Sequence, residues 1–392
     1  MYDRAFFDRP IDRRGTACEK WDVAMARDAR VSNPMWVADM DFRCPDEVVN
    51  ALCERAAHPV YGYTEQTDRA VAAMLDFMER RHGLKLTPSE QIMLPCVVSG
   101  MKAAVQAFTQ PGDRIIVQPP VYGPFYASAR DNGREVAECP LRRDDAGRYT
   151  MDLQSVEDAC RAGARMMFLC SPHNPVGRVW SREELKALFA VLARYDVLLV
   201  SDEIHEDFVY RPGVLVPALD LAVEAGVRAI SMTSASKTFN LAGLQVSNIW
   251  IPGEAARARF QAELGRSGYG PLNTLGLVAC QAAYREGGPW LDQCKAYLRE
   301  NLAFLRTFLA QRLPEIKLVE PEGTYFAWLD CTGLGMDRRA LNDCIIHRAR
   351  LWLDAGHIFG AEAELFQRIV LACPRATLEQ ALVQLERAVR GE

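Results

Sequence analysis

SASKTFNLAGLQ, residues 234–245, places a lysine where a lysine is not expected. The preceding AISM has the composition of a buried strand and a Phe-Asn-Leu-Ala-Gly turn follows, although lysines usually lie on wet surfaces. If Lys237 is buried at the end of this strand, its charged form is disfavoured and its pKa falls. A lysine with a lowered pKa is a nucleophile toward carbonyl groups, so Lys237 is a candidate catalytic residue.

The sequence around this stretch alternates short apolar runs with helical patterns. Continuous apolar runs of this length are typical of strands buried on both faces of a parallel sheet. The runs are RIIVQ (114–118), MMFLC (166–170), VLLVSDE (197–203), AISMTS (229–234) and QVSNIWI (245–251). Helical patterns at 151–164 and 181–195 lie between them. They predict an α/β fold with a mostly parallel mixed sheet flanked by helices, and ligands bind at the carboxyl edge of such sheets.

The C-terminal part of the chain follows a different pattern. A long amphipathic helix pattern at 289–313 precedes TYFAWLD, RIVLACPR and a terminal helix pattern. We expect a large α/β domain at 46–285 and a smaller α+β domain at 286–392, led by the long helix. Residues 1–45 have little sheet character of their own, and we expect them to pack with the small domain.

The composition argues against several classes of protein. The chain has 392 residues, 49% apolar and 25% charged, with a formal net charge of −5. No basic block favours nucleic acid, no apolar run is long enough to span a membrane, and the first residues lack the apolar core of a signal peptide. The 12 cysteines are scattered, which favours small buried residues in a reducing compartment over disulfides or a zinc site. We expect a cytoplasmic protein without a metal site.

Polar side chains follow two of the predicted strands. Asp202 ends VLLVSDE, and a carboxylate at a buried strand end needs a partner or a function. Glu206 and Asp207, further along, are explained by a helix cap or a surface turn. After MMFLC, two prolines and a glycine hold Asn174 in a rigid turn, so it is either a plain turn asparagine or an amide positioned at the sheet edge.

Two further segments are predicted at the same edge. SGM (99–101) is expected to open a helix over 102–108, and free backbone amides at a helix start can hold a phosphate group. Tyr122, flanked by prolines in PPVYGPF, follows the strand RIIVQ and is either a stacking platform or a loop anchor.

These groups together suit one cofactor, pyridoxal 5′-phosphate (PLP). The amine of Lys237 would bind it covalently, and the carboxylate of Asp202 would keep the pyridine nitrogen protonated, so that the ring accepts electrons. Tyr122 would stack on the ring, Asn174 would bond its hydroxyl group, and Ser234 with the helix start would take the phosphate.

Three motifs in this order resemble the fold-type I, aspartate-aminotransferase-like superfamily: HNPVGR, SDEIH and SKTFNLAGLQ. Further motifs are similar to those of its MalY/PatB-type cystathionine β-lyases (C–S lyases), a branch of the class I and II aminotransferases: KWD, PMWVADMDF, YGYT, WLDQCKAYLREN, EGTYFAWLD and ACPR. The resemblance covers nearly the whole chain. It implies the PLP-dependent transferase fold and a homodimer with active sites at the subunit interface.

The resemblance also implies roles for individual residues. Lys237 would hold the cofactor and move the Cα proton, and Arg368 would grip the substrate α-carboxylate, with Arg375 as a competing candidate expected to be structural. His205 would lie near the ring oxygen that Asn174 binds. The phosphate would be held by Ser234, by the backbone amides of Gly100 and Met101, and by Tyr61 of the neighbouring subunit.

Three positions depart from the pattern of this family. Relatives carry asparagine at the position of Val370, and valine there is expected to loosen the orientation of Arg368. Gln245 stands where aminotransferases place an arginine on the phosphate. Lys102 stands where small apolar residues are usual, and we expect it to be solvated.

The leading hypothesis is a β-lyase that eliminates a sulfur group from cystathionine, cysteine or related S-conjugates, giving pyruvate, ammonia and a thiol. An aminotransferase shares the first steps and is the alternative enzyme, because the site alone does not decide which carbon is reprotonated. A regulatory protein that binds a transcription activator is a hypothesis of another class, since some relatives restrain such an activator.

Overall fold

The computed structural model describes residues 2–211, 215–268 and 270–392. Its large sheet has seven strands, numbered here in chain order: β1 Gln91–Leu94, β2 Arg114–Val117, β3 Glu135–Glu138, β4 Ala164–Cys170, β5 Leu198–Asp202, β6 Ala229–Thr233 and β7 Ser247–Trp250. Their spatial order is β1-β7-β6-β5-β4-β2-β3. Strand β7 runs antiparallel to β1 and β6, and the other pairs are parallel. The predicted mostly parallel mixed sheet is confirmed.

The α-helices cover this sheet and the smaller one. In chain order they are α1 Arg4–Asp8, α2 Ala24–Arg27, α3 Asp46–Ala57, α4 Asp68–His82, α5 Val97–Phe108, α6 Pro124–Arg130, α7 Leu153–Arg161, α8 Arg182–Arg194, α9 Ala218–Glu224, α10 Ala235–Thr238, α11 Glu254–Arg266, α12 Thr274–Glu286, α13 Gly288–Arg312, α14 Arg338–Asp343 and α15 Arg375–Arg390. Helices α7, α8 and α13 confirm the helical patterns at 151–164, 181–195 and 289–313.

Successive residues of the central strands enter different hydrophobic cores. Ile115 and Val117 of β2 belong to one core, and Ile116 between them belongs to the other. Because neighbouring side chains on a strand point to opposite faces, a strand buried on both sides needs an unbroken apolar run. This burial explains why RIIVQ and its counterparts show no alternation of apolar and polar residues.

The second sheet is antiparallel and lies in the C-terminal part of the chain. Its strands are β8 Lys317–Val319, β9 Phe326–Asp330, β10 Asp354–Ala355 and β11 Phe366–Val370, in the order β8-β9-β11-β10. Residues Asn33–Pro34 pair with Leu351–Trp352 in a separate parallel bridge, so the N-terminal segment contacts this part of the chain.

Two further features concern the chain as a whole. Within the described ranges, no helix is both long enough and apolar enough to cross a bilayer. The cysteines all lie in the part of the chain that the structure describes, where they are unpaired, and only Cys44, Cys53 and Cys96 among them are not buried.

Candidate active site

One cavity opens at the carboxyl ends of β4, β5 and β6. Its wall includes five of the residues proposed from the sequence: Tyr122, Asn174, Asp202, His205 and Lys237. The loops that follow parallel strands leave the sheet at this edge, which is why residues 122 to 237 meet there. The other proposed residues, Gly100, Met101, Ser234, Tyr61 and Arg368, do not form part of this wall.

Lys237 lies in the short helix α10, directly after β6. Its amine faces the cavity and donates a hydrogen bond of 2.8 Å to the backbone oxygen of Ala38. Burial lowers the pKa of Lys237 to about 8, although Asp39 opposes the shift. A substantial fraction of this amine is therefore neutral at physiological pH, as a nucleophile or base requires.

Asp202 is the last residue of β5 and is 7% exposed. Burial raises the pKa of its carboxyl to about 7, although the amide of Ile204 and the charge of Lys237 favour the ionised form. The Ile204 amide donates to Oδ1 at 3.1 Å. A cationic ligand group beside this carboxyl would stabilise its ionised form.

Asn174 and Arg368 contact each other. The side-chain oxygen of Asn174 accepts a hydrogen bond of 2.8 Å from Nη1 of Arg368. The Arg368 guanidinium also donates to the backbone oxygen of Trp36 at 3.0 Å and to the carboxylate of Asp354. Its carbon Cζ lies 4.2 Å from the ring centre of Phe326. These contacts hold the Arg368 guanidinium although residue 370 is valine, and the expected effect of that valine stays a prediction.

Two buried nitrogen atoms at this site have no hydrogen-bond partner among the described residues: Nδ1 of His205 and Nε of Arg368. His205 packs edge-on against Tyr325 and Phe326, with ring centres 5.4 and 5.2 Å apart. Burial, with Lys237 and Arg368 nearby, holds the pKa of His205 well below its usual range, so the ring is neutral. Unsatisfied buried polar atoms are costly, so these two nitrogen atoms indicate that a polar ligand belongs here.

The helix expected over 102–108 begins earlier than predicted. Helix α5 starts at Val97, and the amide of Gly100 already donates to the backbone oxygen of Cys96 at 3.3 Å. A Cβ on Gly100 would lie 2.6 Å from Cδ1 of Ile249, so this glycine serves the packing of helix on sheet. The assignment of the Gly100 and Met101 amides to the phosphate is therefore wrong, because both residues lie inside the helix. Only the first amides of a helix are free, and here they belong to residues 97 to 99.

Val97 and Val98 line the cavity, and sequence reasoning misses them. The signal that could have found them is the spacing of apolar residues at positions 97, 101, 104, 105 and 108, which is helical from Val97 onward.

Ser234 and Tyr61 are engaged elsewhere within this chain. Ser234 caps α10: its hydroxyl accepts from the amide of Ser236 at 3.0 Å and donates to the oxygen of Val246 at 2.6 Å. Tyr61 is 58% exposed and donates to the oxygen of Ala56 at 2.5 Å. Their roles toward a phosphate remain predictions.

Glu206 and Asp207 do not form a surface turn or a helix cap. They are 5% and 3% exposed. Asp207 accepts hydrogen bonds from Nε2 of His82 at 3.0 Å and from the hydroxyl of Thr238 at 2.6 Å. The interpretation as surface residues is wrong because the partners of Asp207 come from α4 and α10, which are distant in sequence.

Arg375 lies outside the cavity. Its Nε donates to Asn301 at 2.8 Å, and its guanidinium lies 4.7 Å from the ring centre of Phe304, so both partners belong to α13. Lys102 pairs with Asp131 at 2.8 Å on the surface.

The fold and this cavity together define a class of protein. A mostly parallel sheet presents an amine of lowered pKa and a carboxyl of raised pKa at one edge, beside an aromatic ring, an asparagine and a free helix start. These donors fit PLP, which needs an amine for its aldehyde, an acid for its ring nitrogen and amides for its phosphate. The protein is a PLP-dependent enzyme.

Comparisons with known proteins identify the family. A family model described as aminotransferase class I and II matches residues 37–385. Cystathionine beta-lyase PatB of Bacillus subtilis (strain 168) is 39% identical over 385 residues, which cover 98% of this chain and 99% of that protein. The chain belongs to the class I and II aminotransferase family.

Solved structures agree with this family and with the cofactor. Cystalysin from Treponema denticola, which contains a pyridoxal 5′-phosphate cofactor, matches with a TM-score of 0.95 at 34% identity and covers 100% of this chain and 99% of its own. The PLP-bound C–S lyase from Staphylococcus hominis matches with a TM-score of 0.91 at 31% identity, over 98% of this chain and 97% of its own. The expected PLP-dependent transferase fold is confirmed.

Proposed function

We propose that this protein is a carbon–sulfur β-lyase that converts cystathionine, cysteine or related S-conjugates into pyruvate, ammonia and a thiol. From cystathionine, the thiol is homocysteine. The observation that supports this chemistry is that Lys237 and Asp202 line the same cavity. The pKa of Lys237 is lowered to about 8 and the pKa of Asp202 is raised to about 7. The relatives that match over nearly their whole length and are named as C–S or cystathionine lyases support the reaction type.

Five side chains would hold the cofactor. Lys237 would attach it covalently, Asp202 would pair with its ring nitrogen, and Tyr122 would stack on its ring. Asn174 and His205 would face the ring hydroxyl. This placement would give a polar partner to Nδ1 of His205, which has none among the described residues.

The phosphate would lie at the start of α5. The free amides of Val97 and Val98 belong to a helix end that carries partial positive charge. Ser234 caps the neighbouring helix α10, and Tyr61 from a second subunit would complete the phosphate site.

Different residues of the chain would bind the substrate and move its proton. Bound PLP supplies an electron sink that makes the Cα–H bond of an amino acid acidic. Arg368 would bind the α-carboxylate through its Nε, while Asn174, Asp354 and the Trp36 carbonyl keep the guanidinium in place. Lys237, released from its covalent attachment when the substrate amine takes its place, would remove the Cα proton as a neutral amine. The sulfur group would then leave from Cβ with the electron pair of the broken C–S bond.

Product analysis tests this proposal against the aminotransferase alternative. Purified protein with PLP is incubated with L-cystathionine, and pyruvate and homocysteine are measured with and without an added 2-oxo acid. We expect equal amounts of both products without any 2-oxo acid. Turnover that begins only when a 2-oxo acid is added would contradict the lyase and support the aminotransferase.

We also propose a two-domain homodimer with active sites at the subunit interface. The proposed domains are residues 46–285 and 286–392, with residues 1–45 packed on the second; the bridge between Asn33–Pro34 and Leu351–Trp352 supports this packing. Val60, Tyr61 and Tyr63 are 62%, 58% and 99% exposed, and such a run of large apolar side chains suits an interface.

A further inference from the structure

A buried charged cluster lies directly behind the active-site lysine. Asp207 accepts one hydrogen bond from Nε2 of His82 at 3.0 Å and another from the hydroxyl of Thr238 at 2.6 Å. Thr238 is the residue after Lys237, and Asp207 belongs to the segment directly after Asp202. The Asp207 carboxylate therefore joins the segment that holds the active-site amine to the segment that holds the active-site acid.

The cluster is buried and includes an ion pair between His82 and Asp207. The side chains of His82 and Asp207 are 4% and 3% exposed. Burial alone would lower the pKa of His82, but Glu206 and Asp207 raise it to about 9. Burial raises the pKa of Glu206 well above its usual range. Burial also opposes the ionisation of Asp207, but His82 and Thr238 outweigh it and hold the pKa of Asp207 below its usual value. The charged forms of His82 and Asp207 therefore favour each other.

We propose that Asp207, charge-paired with His82, is a positioning residue that fixes Lys237 relative to Asp202 by accepting the hydrogen bond of the Thr238 hydroxyl. This role rests on the proposed function of Lys237 and Asp202, and it assigns no contact with substrate or cofactor to Asp207. A buried ion pair contributes little net stability, because desolvation offsets the attraction, but it can define one geometry sharply. Helix α10 has only four residues, so it needs such an external anchor.

His82, Glu206 and Asp207 also offer ligand atoms within 4.8 Å of one another, a spacing that suits a metal ion. The hydrogen bond between His82 and Asp207 already uses an imidazole nitrogen that a metal would need. The other charged or titratable groups near the cluster are Arg81, Glu203, Tyr284 and Lys295. Two of these are cationic side chains, which disfavour a further cation, so the geometry favours an ion-paired cluster over a metal site.

The test removes the hydroxyl of Thr238 and leaves the ion pair intact. Thr238→Val preserves the side-chain shape, and Thr238→Ser restores the hydroxyl. Thr109→Val is the matched control, because Thr109 is 2% exposed and its hydroxyl also makes two hydrogen bonds, to Val105 and Arg134 at 2.6 and 2.8 Å.

Three quantities are measured on each PLP-loaded variant: the midpoint of the pH titration of the visible cofactor band, kcat and KM for cystathionine, and the melting temperature. For Thr238→Val we expect a shifted midpoint and kcat lowered about tenfold or more with KM nearly unchanged, both recovered in Thr238→Ser. Thr109→Val should lower only the melting temperature.

Two outcomes are decisive. If Thr238→Val matches Thr109→Val, with a lower melting temperature but an unchanged band and kcat, Asp207 is merely structural and the proposal is overturned. The pH titration of the visible cofactor band needs no substrate, so it tests the positioning role of Asp207 even in a protein that does not turn over cystathionine. Absence of cystathionine turnover in the wild type would contradict the proposed lyase function and leave this test in place.

Discussion

The amine of Lys237 and the backbone oxygen of Ala38 are joined by a hydrogen bond of 2.8 Å, across 199 residues of sequence. The hydroxyl of Tyr325 donates to the same oxygen at 2.9 Å, and the oxygen of Trp36 accepts from Arg368 at 3.0 Å. The short segment 36–38, which precedes α3, therefore touches the residues proposed to handle the Cα proton and the carboxylate of the substrate. The site depends on this segment as well as on the sheet edge.

Replacing the proposed cofactor lysine should abolish the visible absorption band of the PLP-loaded protein. Lys237→Ala removes the amine that attaches the cofactor, so we expect no visible band of bound cofactor and no pyruvate release. Lys102→Ala is the control, since Lys102 pairs with Asp131 on the surface and should keep both properties. A variant Lys237→Ala with a wild-type spectrum would contradict the assignment.

Because of Asp202, the free energy of unfolding of the cofactor-free protein should fall as pH rises. Its pKa is raised from 3.8 to about 7 in the folded chain, so the folded state binds more protons than the unfolded state between these pH values. Ionised Asp202 therefore destabilises the fold increasingly as pH rises from about 4 to about 7. We expect Asp202→Asn to raise the free energy of unfolding by roughly 2–4 kcal/mol at pH 8, with little effect below about pH 4.

Urea unfolding of the cofactor-free wild type and of Asp202→Asn across this pH range measures the difference. Asp145→Asn, at an exposed position outside the cavity, is a suitable control because it changes the same charge in a solvated place. If the difference in free energy of unfolding between wild type and Asp202→Asn grows toward low pH, the predicted direction of the pH dependence is wrong. With PLP bound, the same substitution should instead weaken catalysis, because the acid opposite the ring nitrogen is lost.

Steady-state kinetics should distinguish the two arginines that are candidates for binding the substrate carboxylate. Arg368→Lys removes Nε and the fork geometry, so KM for cystathionine should rise about 10- to 100-fold, as expected for a charged hydrogen bond worth about 1.5–3 kcal/mol. Arg375→Lys should lower the melting temperature through its lost contacts with α13 and leave KM unchanged. The reverse pattern would show that Arg375 binds the carboxylate.

Much of this architecture can be predicted from local signals. Buried strands show unbroken apolar runs, and polar residues stand where several of these runs end, so the sequence alone identifies Asn174 and Asp202 as site candidates. The helical pattern at 181–195 also places α8 correctly, and the structure shows a capping box of Ser181 and Glu184 at its start. In these cases the signal lies within a few residues of the feature that it predicts.

The predictions from sequence fail where contacts between distant parts of the chain determine the local structure. Val97 and Val98 are β-branched and follow a strand, so the sequence pattern puts the helix start five residues late and makes Gly100 a phosphate contact, although it packs against Ile249. Asp207 resembles a surface residue in the sequence because its partners, in α4 and α10, lie far from it along the chain. No local pattern records such contacts.

The proposed shared site makes a prediction about mixed dimers. If Tyr61 of one subunit completes the phosphate site of the other, Tyr61→Ala and Lys237→Ala should each be nearly inactive alone as homodimers. A mixed dimer would contain one site with both residues intact and one site with neither. Unfolding and refolding the two variants together should therefore restore part of the wild-type activity, while refolding each alone should not.

The matched control replaces Tyr61→Ala by Tyr122→Ala. Tyr122 and Lys237 line the same cavity within one chain, so both residues of a site come from a single subunit. In a mixed dimer of Tyr122→Ala and Lys237→Ala, one site therefore lacks the tyrosine ring and the other lacks the amine. Neither site is intact, and the mixture should show no more activity than the two variants refolded separately. Recovery with Tyr61 and none with Tyr122 would establish that Tyr61 crosses the interface, whereas no recovery in either mixture would contradict a site shared between subunits.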